Sequence, residues 1–525
     1  MAKKKSKRSG KSGHTPLAEH RKRGTVFTTP LADYPIEAND WQRDYLPEYL
    51  WMGALAQHLP VTKMYNPVYE VMDAAEHLWS ESYPPIGVVS DFGFIRDKEG
   101  FLSMNKDLIR EAIIKPFGRV LSMYPESPAA WLLTPEFREE LGHLESDKIL
   151  SETRAIVLSL IDGQGMVSTA CKMVSLARVI KAGKLIFQQG STIAEKMPKY
   201  PDKLTADERS QVEGSVRASM TSVLGQVPRF KNREWAKYFW RHNYDLATCQ
   251  PSMMQLSASK AVGDDLFTQL ERSVSENCKM ARKYLEQLTM QYRVDLYDPL
   301  RYEIVSGLFS RAIRLFLLVN ENPRLWARDV SGIMLRCLVE TAISFCYLGE
   351  KGTDDEFRRF KEYGKGQKKL LMLHLQDSYP GEATLEGHTV ENIRDELGGG
   401  FAAEMIQIES GSWAKKDTRR LALEVGLENY YRLVFSPTSA DVHGTWASLS
   451  DSNLCICAEP LHRFHQMPSY SEPPLFVNTL VAVQELLSDI YKRAVEKLGF
   501  PKGMQFVSLR QYLHETDVKS LIQLN

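Results

Sequence analysis

A chain of 525 residues with 43% hydrophobic and 25% charged content has the proportions of an ordinary globular protein and is too long for one core, so two or three domains are expected. No uninterrupted apolar run approaches about 18 residues, so no membrane span is expected. The N-terminal lysines are followed by no apolar stretch of the kind a signal peptide needs. The seven cysteines are odd in number and unpatterned, and Cys337 and Cys346 fall in an apolar helix, which points to reduced thiols and a cytosolic, cytoplasmic chain.

The formal net charge is +0, but it is unevenly placed. Residues 1–24 carry Lys3, Lys4, Lys5, Lys7, Arg8, Lys11, Arg21, Lys22 and Arg23 against Glu19 alone. Such an arm attracts phosphate backbones without reading sequence, and a solvated disordered tail has the same composition. Residues 1–35 are expected to be this disordered basic arm.

Order is expected from Asp40, an N-cap for a helix carrying Tyr45, Tyr49 and Met52 on one face. Residues 64–80, 105–123 and 135–143 read as short helices. Residues 147–182 read as a long helical region broken at Gly163-Gln164-Gly165. Thr205 and Glu208 have the spacing of a capping box, and Val212, Val216, Met220 and Val223 form the stripe behind it. Over 262–290 the three–four spacing runs through Leu266, Leu270, Val274, Cys278, Ala281, Leu285 and Leu288.

There is no run of alternating strands, no Asn-Gly hairpin turn and no internal repeat. The pattern resets around 291–301. Helices are then expected at about 302–321, 324–349, 353–377, 390–409, 413–425, 427–447 and 473–498, with loops at 378–389 and 451–472. The fold class is all-α: a disordered basic arm over 1–35, an N-terminal helical domain over 36–295, a C-terminal helical domain over 296–500 and a tail over 501–525.

Two segments of the second domain carry its candidate chemistry. Between Val330 and Leu348 the only charges are Arg336 and Glu340, four apart on one helical face. A buried pair of this kind needs partners. It either fixes helix register or lines a pocket in which Arg336 binds an anion such as phosphate. The second segment runs from Ser436-Pro437 to Gly444. The residue before proline is biased away from helix, so the chain turns there and restarts. A helix over 437–446 places Ser439 and His443 on one face and Asp441 elsewhere. With Arg336 nearby, His443 would move a proton and Arg336 would stabilise a phosphorane, which cleaves RNA without a metal. Alternatively, His443 hydrogen-bonds a buried carboxylate such as Glu340.

Residues 300–450 resemble a bacterial domain-of-unknown-function family, number 5677. The resemblance is carried by the Arg336…Glu340 helix, the following FRRFKEYGKGQK, the Trp413 segment SWAKKDTRRLALEVG, and Tyr431 leading to Ser439…His443-Gly444. This helical pattern is in turn similar to HEPN-type nucleotide-binding and RNase domains of prokaryotic toxins and phage defence. That superfamily places Arg, four to six residues, then His on one helix. Near His443 the chain departs from it, because Arg432 is too far away; the spacing recurs instead at Arg138…His143. The resemblance implies a bacterial cytosolic effector that cleaves or binds RNA; the residues themselves offer Arg336, Glu340, Ser439 and His443 as its site, and the charge of the basic arm offers a nucleic-acid contact. A homodimer or a partner protein is a further expectation. The rival is a non-catalytic helical scaffold or interaction protein.

No cofactor is expected and no metal is assigned. Cys455-x-Cys457 with His462 and His465 could supply four zinc ligands, but Cys-Ile-Cys reads equally as an edge segment with alternate residues buried. Asp91-Phe92-Gly93 lacks the companions of a kinase metal-binding tripeptide. Gly398-Gly399-Gly400 lacks the context of a phosphate loop and reads as a link. The aromatic cluster from Phe239 to Tyr244 reads as helix packing more readily than as a base-stacking platform.

Overall fold

A computed structural model describes residues 21–23, 26–28, 40–142, 145–186, 192–227, 233–252, 260, 262–378, 384–385, 388–469 and 475–513. The described residues are mainly helical, as the composition and periodicity lead one to expect. Their only sheets are three two-stranded antiparallel ribbons. One of them, Arg21–Arg23 with Val26–Thr28, lies in the basic arm; Lys3, Lys4, Lys5, Lys7, Arg8 and Lys11 lie outside the described residues.

The chain divides into two compact units, Met1–Gln250 with Cys457–His465 and Pro251–Ile456 with Gln466–Asn525. The division therefore falls at Gln250 rather than at 291–301. The Asp264–Gln291 helix explains the difference. It buries Leu270, Val274, Cys278, Ala281 and Leu288 in the second core, alongside the Leu300–Glu321 helix that follows it. Its stripe starts one turn later than expected, since Leu266 is exposed.

In the first unit, local signals match local structure. The Asp40 side chain accepts from the Arg43 amide at 2.9 Å, and Tyr45, Tyr49 and Met52 are buried. The long helical region is two helices, Ser146–Ile161 and Met166–Lys181, on either side of the glycine break. Thr205 and Glu208 close a capping box on the Ala206–Gln226 helix. Asp91 holds the local backbone in place, because its carboxylate accepts three consecutive backbone N–H groups, from Ile86, Gly87 and Val88 at 2.7–3.0 Å. Asn243, in the aromatic cluster, is buried and accepts from the Tyr124 hydroxyl at 2.7 Å.

A late piece of the sequence completes this unit. Leu461 is fully buried in the first core. Glu459, also 0% exposed, takes two-pronged hydrogen bonds from the Arg154 guanidinium on the Ser146–Ile161 helix at 2.9–3.0 Å. A carboxylate removed from water needs such a partner, which fixes where this segment sits.

In the second unit the Arg328–Lys351 helix packs against Leu300–Glu321 and Asn478–Leu498. By length and composition alone it is the one described helix long and apolar enough to cross a membrane. Its Leu338, Ala342, Ile343, Phe345 and Cys346 are buried in the core. Pro323 opens a separate short turn, Pro323–Trp326, so the helix begins later than 324. The helix expected over 390–409 is split, because Gly398 and Gly399 take positive φ of 99° and 87°. That over 427–447 is broken at Ser436-Pro437, leaving Ser439–His443 as a short helix ended by left-handed Gly444. Part of the supposed tail is packed: Leu509 and Tyr512 are buried, and the Tyr512 hydroxyl lies 2.9 Å from Ser273 Oγ.

Candidate functional site

The Arg328–Lys351 helix packs on the Ser439–His443 helix, so the two predicted segments do meet. Among the described residues no hydrogen bond or ion pair joins the predicted side chains to one another. Glu340 is exposed, and among the described residues no ion pair joins it to Arg336. The buried Arg–Glu pair is therefore absent. Arg336 is half-buried. Its Nη1 donates to the Phe435 carbonyl at 2.7 Å, and its guanidinium lies 3.8 Å from the centre of the Phe435 ring. Ser439 is half-buried, His443 is exposed, and no hydrogen bond links either of them to Arg336 or Glu340. In the first unit Arg138 donates to the Leu133 carbonyl, and His143 lies outside the described residues.

The inward-facing group of the short helix is Asp441, the residue that sequence spacing set aside. It lines a cavity of about 540 Å³ in the second unit. Leu335, Val339, Leu433, Val434, Phe476 and Leu486 give the cavity an apolar wall. Its polar rim includes Arg328, whose Nη2 pairs with Asp451 at 2.7 Å. Asp441 approaches the Arg328–Lys351 helix so closely that a Cβ on Gly332 would collide with its carboxylate. Burial pushes the Asp441 carboxyl up from the ordinary aspartate range. Asp329 and Asp451 add to this, while a hydrogen bond from Ser448 and the charge of Arg328 oppose it. The signal that could have found Asp441 is Gly332: a glycine inside an apolar helix marks a close approach.

A second cavity, of about 500 Å³, lies in the first unit and is lined by Trp41, Gly163, Lys172 and Arg217 among others. Lys172 is buried; its Nζ donates to the Gly163 carbonyl and stands 3.7 Å from the Trp41 ring centre. Desolvation pushes its ammonium down to about 8.

Metal-ligating residue types converge at one place among the described residues. The ligand atoms of Cys249, Cys457, His462 and His465 all lie within 4.8 Å of one another, in the first unit. The sequence spacing named Cys455 in this set. Cys455 instead lies on the Leu454–Ile456 strand, with its sulfur 4.0 Å from the Pro468 carbonyl. Its place is taken by Cys249, which no local motif could have supplied.

Residues 302–455 match the model of a family described as a family of unknown function (DUF5677). No curated protein and no solved structure matches the chain. The matched segment contains Arg336, Gly332 and Asp441 and ends before Cys457, His462 and His465.

Proposed function

We propose that the second unit, which carries the family match, is a binding module that takes a small organic molecule in the cavity closed by Asp441. The supporting observation is the lining. Apolar side chains form most of the wall, and one raised, half-buried carboxyl stands among them beside Ser448. A ligand with an apolar body and a protonated amine at one end satisfies both surfaces, since the amine supplies the positive charge that Asp441 lacks in full. The test is a thermal-shift series on the full chain with arylalkyl amines and their neutral isosteres. Amines should raise the Tm, isosteres should not, and Asp441→Asn should abolish the difference. Equal shifts from amines and isosteres, or none from either, overturn the reading.

A second reading, RNA binding or cleavage by a HEPN-like effector in phage defence, is favoured by a different observation. The excess of cations from Lys3 to Arg23 suits a phosphate backbone, and exposed His443 is open to a large substrate. Deleting residues 1–24 should then weaken RNA binding and flatten its salt dependence, and His443→Ala should abolish any cleavage while leaving the Tm in place. An unchanged salt slope removes the arm from this reading, and undiminished cleavage removes His443.

A further inference from the structure

We infer that Cys249, Cys457, His462 and His465 form a four-coordinate site for one structural zinc ion in the first unit. Cys249 Sγ lies 3.4 Å from His462 Nδ1 and 3.5 Å from His465 Nε2, and Cys457 Sγ lies 3.7 Å from His462 Nδ1. A tetrahedral zinc with ordinary Zn–S and Zn–N bonds separates its sulfur and nitrogen ligands by about 3.6 Å. Three of the ligand–ligand separations thus already match the edges of such a tetrahedron, and all four groups lie within 4.8 Å of one another. Two thiolates and two neutral imidazoles around a divalent cation carry no net charge, which suits a site where Cys457 and His462 are buried. With four protein ligands the site is closed, so the metal's role is to hold structure rather than to activate water.

The backbone is shaped to present these ligands. The Cys457 amide donates to the His465 carbonyl at 2.8 Å, and the Ala458 amide donates to the Gln250 carbonyl. These bonds bring residue 249 beside the 457–465 loop. Within that loop, Arg463 and Phe464 adopt left-handed φ of 58° and 49°, which turns His462 and His465 to one side. Two consecutive non-glycine residues in that region are costly, and such strain persists where surrounding bonds demand it. The His462 ring stacks on Tyr244 at 5.5 Å, and its Nε2 is buried without a hydrogen-bond partner. Thiols are weak partners for the Nδ1 that faces them. A metal bond at Nδ1 would fix the proton on Nε2.

Without metal, the same cluster would be a set of thiol–imidazole contacts. The experiment is elemental analysis of the full chain purified without chelators, followed by chelator stripping and reconstitution with cobalt(II). One zinc per chain is expected. The cobalt form should show tetrahedral d–d absorption with a near-ultraviolet thiolate charge-transfer band. Cys249→Ser should lose the metal and Cys455→Ser should keep it. If Cys249→Ser does not fold, the wild-type cobalt spectrum and the Cys455→Ser metal content still decide. A metal-free wild type without a charge-transfer band on cobalt addition overturns the proposal. So does a Cys455→Ser protein that has lost its metal.

Discussion

Asp441 lies against Gly332, with its carboxylate in the space that a β-carbon at 332 would occupy. The contact joins a short helix after a proline turn to the Arg328–Lys351 helix, whose apolar face is buried in the second core. It explains why a residue unfavourable inside a helix is kept there.

Gly332→Ala is expected to lower the Tm, at a cost of about 1–3 kcal/mol typical of overpacking. In an Asp441→Ala background the sign should reverse, since alanine is favoured over glycine in a helix by about 1 kcal/mol. Thermal denaturation of the four proteins closes a double-mutant cycle. Additive effects would mean that the two residues do not meet.

Asp441 also sets a pH dependence. Its carboxyl is raised in the folded state, by burial first and then by Asp329 and Asp451. It therefore contributes stability when protonated, in full below the unfolded-state pKa, and that contribution is lost as pH rises through the folded-state value. Asp441→Asn mimics the protonated form. It should match wild type near pH 3 and be the more stable protein near pH 7, about three units above an ordinary aspartate pKa. Urea midpoints at the two pH values check this, and a mutant less stable at neutral pH contradicts it.

Elements legible in the sequence are those fixed by neighbours along the chain. The Asp40 cap, the Thr205–Glu208 box and the break at Gly163–Gly165 need only a few residues each. What sequence spacing missed depends on contacts between distant segments. Arg336 and Glu340 share a face in any helix, but whether that face is buried depends on what packs there. Phe435 covers Arg336, and Glu340 stays in water. Cys249 was invisible as a ligand because its partners come from the far end of the chain, and Cys455 was named in its place because proximity in sequence was the only guide.

The altered surroundings of Arg336 change what its mutation should do. Had Glu340 been buried beside it, Arg336→Ala would strand a charge and cost roughly 3–5 kcal/mol. With Glu340 exposed, the loss is one hydrogen bond to the Phe435 carbonyl and one stacked ring, about 1–3 kcal/mol. Glu340→Ala and His443→Ala, both exposed, should each stay within about 0.5 kcal/mol of wild type. A large effect from Glu340→Ala in chemical denaturation would restore the paired reading.

Lys172 gives a signature in base. Its ammonium, pushed down to about 8 by burial, releases its proton sooner in the folded than in the unfolded state. Between about pH 8 and 10.5 the unfolded chain binds more protons, so this residue makes stability rise with pH, with a limiting slope of about 1.4 kcal/mol per pH unit. Lys172→Met should remove that component. The readout is the difference between the wild-type and mutant slopes, because buried tyrosines such as Tyr49 titrate in the opposite sense. Parallel curves would show that Lys172 ionises normally.

Arg154 and Glu459 test how the 457–465 loop is held. Arg154→Ala leaves Glu459, fully buried, with the Leu461 amide at 3.1 Å as its remaining hydrogen-bond donor. Stranding a buried charge costs roughly 3–5 kcal/mol. Adding Glu459→Gln removes the charge altogether and should recover most of the loss. Chemical denaturation of the wild type and of the single and double mutants measures this. A single-mutant penalty well below that range would mean that Glu459 finds another cation when Arg154 is gone.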